Sequence, residues 1–118
     1  MGKFTHNDVL DAPLNKVATA TTMVMCSQQP TNRTQAVTTY ALSSVTPTFT
    51  GPADGDTSGR KITVNATTGA GSTNGTGTHV ALCDGATLLY VTTCDPLAIT
   101  AGANVDFGEW EIEFADPA

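Results

Sequence analysis

Three side-chain oxygens fall close together in GPADGDTSG, residues 51–59: Asp54, Asp56 and Ser58, with Gly59 behind them. This is the first half of a D-x-D-x-[DNS]-G calcium loop. Alternate residues there aim hard oxygen ligands at one point, and a glycine lets the chain turn. The second half does not follow. Counting Asp54 as position 1, position 12 is Asn65, where a bidentate Glu is needed, and Arg60-Lys61 bring positive charge. An ordinary Gly/Asp turn at a subunit contact is the plainer account, and Asp54, Asp56 and Ser58 stand only as a weak metal candidate.

The remaining chemistry-bearing residues are sparser. His6, Asp8 and Asp11 share a short N-terminal stretch, but without a second His they read as solvated helix residues. Cys26, Cys83 and Cys94 cannot all pair within one chain, and their spacing fits no zinc pattern. Each sits in a strand-like segment, where a thiol acts as a small hydrophobe; a Cys83–Cys94 bridge is the weaker alternative. Glu109, Glu111 and Glu113 alternate along one strand face, pointing to water or to a basic partner. Neither His6 nor His79 stands in a G-x-S-x-G or papain-like context, and no spacing brings two carboxylates to one cleft. The expectation is a protein that is not an enzyme and needs no cofactor.

Bulk properties narrow the partners. The 118 residues carry a net charge of −6 with only 5 Lys and Arg, which leaves no footprint for nucleic-acid phosphates or anionic lipid. No apolar run approaches the roughly 18 residues of a membrane span, and MGKFTHNDVLDAPL lacks the apolar stretch of a signal peptide. Synthesis in a cytoplasm is expected. Leu, Ile, Val and Phe make up only about a fifth of the chain, close to where a core becomes too thin to fold alone. Assembly follows as an expectation: neighbouring subunits supply part of the packing, and ordered ends latch onto them.

The elements that must position these residues are mostly strands. Residues 5–15 predict a short helix, capped by Thr5 or Asn7 and ended or kinked by Pro13. A strand follows over about 20–26. Thr31 then caps one helical turn, and an extended run leads from Tyr40 to Thr50, with Pro47 marking an edge. Residues 60–67 alternate as a strand, and 68–77 read as a flexible hairpin tip turning at Asn74-Gly75. The densest apolar tract, residues 75–94, predicts a hairpin turning tightly at Asp84-Gly85 and buried on both faces at the centre of a sheet. Turns at Asp95-Pro96 and Ala101-Gly102 precede a last strand, Val105–Phe114, in which a bulge at Gly108 restores the register. The chain is thus one all-β domain over 1–118, mainly antiparallel. It should form a β-sandwich or compact barrel with 1–15 as a helical, latching segment.

HNDVLDAPLN, CSQQPT, TTYAL, GPADGDTSGRKITV, THVALCDGATLLYVTTC and the closing WEIEFADP together resemble a family of small β-rich virion proteins of tailed bacteriophages. The resemblance spans nearly the whole chain. It implies a capsid decoration, or cement, protein on the outside of the major capsid protein lattice, with no catalytic or cofactor residues to carry over. The implied partners are the major capsid protein and further copies of the chain, as a trimer sooner than a dimer. The implied location is the virion surface, and a lattice of weak contacts would hold firmly through multivalency. A tail, collar or head-fibre component is the alternative; a sugar-binding sandwich is weaker, for want of exposed aromatics. Contact with partners is expected at the termini, the 51–59 loop and the 69–77 tip, with Phe4, Leu10, Asp54, Asp56, Arg60 and Asn74 as candidates.

Overall fold

The computed structural model describes residues 4–115. In chain order the elements are α1 (Asn7–Val17), β1 (Thr22–Cys26), a π-helical turn (Gln35–Thr39), β2 (Ala41–Val45), β3 (Phe49–Asp54) and β4 (Arg60–Val64), then β5 (Thr67–Ala70), β6 (Gly75–Cys83), β7 (Leu88–Ile99), β8 (Asn104–Phe107) and β9 (Trp110–Phe114). They form one sheet of order β2-β1-β6-β7, a second of order β3-β4-β9, and a short β5-β8 ribbon. Every ladder is antiparallel.

Strand alternation at the centre of the first sheet builds two cores at once. β1 and β6 send Met23, Met25, Val80 and Leu82 to one face, where they meet Ile62, Val64 and Ile112 of the second sheet and Val105 and Phe107 of the ribbon. Leu14 and Val17 of α1 join this core. The opposite face carries Val24, Cys26, Ala81 and Cys83, covered by Ala36, Val37 and Tyr40 from the segment around the π-helical turn. The fold is therefore all-β and sandwich-like with one short N-terminal helix, and β6 is buried on both faces as its two-sided apolar pattern requires.

Several local expectations change. α1 begins and ends later than residues 5–15, and its N-cap is His6, whose side chain accepts from Asp8 N–H at 3.1 Å. Pro13 lies inside the helix. It forfeits one i→i−4 bond, but the turn that follows is held by Leu14, fully buried, and Val17. The π-helical turn has Thr34 at its N-cap without a side-chain cap bond; ahead of it Gln35 N–H donates to Asn32 Oδ1 at 2.8 Å, and Thr31 donates through N–H and Oγ1 to Gln35 Oε1 at 2.8 and 2.9 Å. The turn after β6 is a four-residue loop, not a two-residue one: Asp84 Oδ1 accepts from Ala86 N–H (2.8 Å) and Thr87 N–H (2.6 Å). Gly85 needs no positive φ there, since among the described residues only Gly51, Gly59 and Gly102 adopt one.

Two predicted strands turn out to be divided between sheets. The 60–67 run breaks after Val64, and β5 leaves to pair with β8. Residues 68–77 are therefore not a hairpin tip but a crossing between sheets, held to β2 by the Ser43–Gly71 bridge. Likewise Val105–Phe114 divides at Gly108: β8 pairs with β5, and β9 with β4. No turn occurs at Asp95-Pro96. β7 continues through it, but its ladder with β6 slips there: Thr93 faces His79 and Leu97 faces Gly77, so Cys94, Asp95 and Pro96 bulge opposite Thr78 and Pro96 owes the ladder no N–H. The expectation of ordered, latching ends falls partly on residues 1–3 and 116–118, which lie outside the described residues.

Candidate functional site

The 54–61 turn is an ionic clamp. Gly55 N–H donates to Gly59 O at 2.9 Å, closing the turn between β3 and β4, and Gly59 takes φ 73°. Arg60 and Lys61 follow each other on β4 and so point to opposite faces. On one face the Arg60 guanidinium reaches Asp11 of α1 through Nε (2.9 Å) and Nη2 (3.4 Å), and Asp54 through Nη1 (2.8 Å). On the other, Lys61 Nζ donates to Asp56 (2.7 Å) and Glu111 (2.6 Å). The hydrogen bond from Lys61 holds the Asp56 carboxyl below its usual range, and bonds to Asp56 and Glu111 raise the Lys61 ammonium. Bonds to Asp11 and then Asp54 push the Arg60 guanidinium higher still. Glu113 Oε1 accepts from Thr57 and Ser58 N–H at 3.4 and 3.5 Å.

This arrangement bears directly on the calcium reading. Asp54 and Asp56 diverge to two faces, each onto a cation of the chain, instead of converging on one point. Among the described residues no three His, Cys, Asp or Glu side chains gather as a metal site. Glu111 and Glu113, expected on a solvated or partner-facing strand, tie the turn to β9. Of the other contact candidates, Asn74 accepts from Ala101 N–H through Oδ1 at 2.8 Å, bracing the sheet crossing. Leu10 is half-buried, whereas Phe4 is 83% exposed.

A second feature was not foreseen from the residue types. A cleft of about 610 Å³ opens between residues 92–97 of β7 and residues 106–111, where β8 passes into β9. Met25, Val80 and Phe107 line its apolar depth together with Trp110, whose ring stacks on Tyr90 at 6.0 Å and 28°. Asp95, Asp106, Glu109 and Glu111 also line it. Cys94 lies there too, its Sγ 3.7 Å from Met25 Sδ. Burial pushes that thiol up, the opposite of what a nucleophile needs. Cys26, deeper still under the outer face of the sheet, is pushed up to about 12 by burial. All three thiols are free, and Cys83 lies opposite Leu88, out of register with Cys94.

His79 Nδ1 shares a hydrogen bond with Thr78 Oγ1 at 2.8 Å, and His6 caps α1. What the cleft can do is receive a side chain or an extended segment: apolar at depth, acidic at its margin, and bordered by a strand with one free edge. The clue available in sequence was Pro96, which within a strand run marks an edge or a bulge instead of the turn expected there, together with a lone Trp110 set between glutamates. Comparison of the chain with family models, with curated proteins and with solved structures finds no match to any of them.

Proposed function

We propose that the chain is a structural virion protein of the capsid-decoration kind, binding outside the major capsid protein lattice and stabilising the head. The observation that carries this reading is the way the N-terminal segment is presented. Arg60 and the buried Leu14 fix α1 to the β body, while Phe4 and Val9 stay 83% and 63% exposed. Val9 on the fixed helix and Phe4 just before it hold large apolar side chains in water, which favours a partner surface. The sequence resemblance supplies the virion as the setting. The ionisable side chains of the 54–61 turn tie elements together and so support a scaffold role over chemistry.

The test is location. Purified particles and tailless heads are compared by mass spectrometry and by imaging with a labelled antibody. The expected result is the protein on both, released from heads without loss of the shell. Its absence from tailless heads overturns the proposal.

A further inference from the structure

We propose that the β7–β9 cleft receives an extended, lysine- or arginine-bearing segment of a partner chain, laid along the free edge of β7. The inference names the kind of segment a virion partner would use; it rests on the proposed function only for where that partner is found. Three observations converge. Among the described residues β7 has a hydrogen-bonded neighbour on one side only, β6, and β9 likewise only β4, so both strands beside the cleft carry open backbone groups. An added strand satisfies such groups and lets alternate side chains enter a pocket. The pocket is already there, about 610 Å³ with Met25, Val80, Phe107 and Trp110 in it and Leu97 38% exposed at its side.

Charge selects the occupant. Of the lining carboxylates, Glu111 has Lys61 and Asp106 accepts from Thr68 Oγ1 at 3.0 Å. Asp95 and Glu109 have no ion pair among the described residues. Among the described residues no Lys, Arg or His lines the cleft. The potential is therefore negative beside an apolar floor, which favours a segment alternating cationic and apolar side chains. A second copy of this chain fits poorly: it carries a net charge of −6, so like charges would meet at the acidic margin.

Trp110 is the sole tryptophan, so its emission reports the cleft alone. The full chain is titrated with a synthetic eight-residue peptide alternating Lys and Val, and with its Glu-Val counterpart. The Lys peptide is expected to shift Trp110 emission saturably, with an affinity that falls as salt rises. Asp95→Lys combined with Glu109→Lys is expected to weaken it by about tenfold or more, with an unchanged melting curve showing that the variant is folded. Equal binding of the Glu peptide, equal binding to the variant, no response to the Lys peptide, or an emission shift produced merely by concentrating the protein would each overturn the inference. If the peptide fails while the protein is found on heads, only the cleft assignment falls. If the peptide binds but heads lack the protein, the head assignment falls instead.

Discussion

Leu14→Ala tests whether α1 is an integral part of the sandwich or an appendage. An isolated helix of this length is marginal in water, and Pro13 weakens this one further. Its docking must come from the face it buries, chiefly Leu14, fully buried, and Val17. Truncating a fully buried Leu removes its transfer energy and leaves a cavity, about 2–5 kcal/mol together. For 118 residues, an unfolding entropy of about 2.1 cal/mol/K per residue gives about 0.25 kcal/mol/K, so the melting temperature should fall by about 8–20 °C. Val9→Ala, on the exposed face, should stay within about 0.5 kcal/mol, or about 2 °C. The assay is calorimetry, paired with hydrogen exchange at the α1 amides to separate undocking of the helix from global unfolding. Two results would refute the reasoning: Leu14→Ala melting within about 2 °C of the parent with α1 protection unchanged, or Val9→Ala costing more than Leu14→Ala.

Other perturbations have equally definite outcomes. Gly59→Ala places a Cβ on the Phe114 carbonyl at a residue with φ 73°; it should cost at least about 1–2 kcal/mol in urea unfolding. Gly85→Ala meets open space at ordinary φ and should be neutral or slightly stabilising. The Asp84 carboxyl is held below its usual range by the Ala86 and Thr87 amides. Its contribution is therefore complete above the unfolded carboxylate range and is lost as pH falls through the lower folded value. Melting followed from pH 6 to pH 2 should show a shallower acid loss for Asp84→Ala than for the parent. Native protein treated with iodoacetamide at pH 8 should label Cys94 first by mass spectrometry, because Cys26 and Cys83 are buried; early Cys26 labelling would contradict its position under the π-helical segment. Calcium or a chelator should leave the melting temperature within about 1 °C, since Asp54 and Asp56 are held by different cations.

What could be read in the sequence was the strongly alternating material. Val80 to Cys83 is apolar on both parities, and both faces are in fact covered, by the main core and by the 27–40 segment. Trp110, Ile112 and Phe114 share a face as their period of two requires, with Ile112 buried and the other two packed against the same core. The failures came where one run of good strand residues serves two sheets. Nothing in RKITVNATTGA says that pairing must change partner at Asn65, and the parity break at Gly108 in NVDFGEWEIEF reads equally as a bulge, because alternation fixes which face a residue takes, not which strand lies beside it. The ionic clamp was illegible for a related reason. Asp11 and Glu111 are far in sequence from Arg60 and Lys61, and only the packing of α1 and β9 against β4 brings each carboxylate to its cation. Asp54 and Asp56 looked like ligands because spacing along the chain was visible while the cations that would claim them were not yet placed.

The low content of Leu, Ile, Val and Phe also takes on a location. Buried apolar side chains concentrate where β1 and β6 cross the second sheet, and their packing there is continuous with α1. Along the opposite stretch of β7, Thr93, Asp95, Pro96, Leu97 and Ala98 are exposed, and Leu89, Tyr90 and Trp110 are only half-buried. A deficit spread evenly would weaken every layer; this one leaves β3 and β5 without a buried residue and opens the seam between the edges of β7 and β9. If partner chains complete the packing, that seam is where added apolar surface and added backbone hydrogen bonds would stabilise the fold most. Stability should then rise on binding by RT ln(1 + [L]/Kd), with the greatest gain in hydrogen-exchange protection at residues 92–97. Protection gained instead around α1, with β7 unchanged, would place the partner on Phe4 and Val9 and leave the seam to solvent.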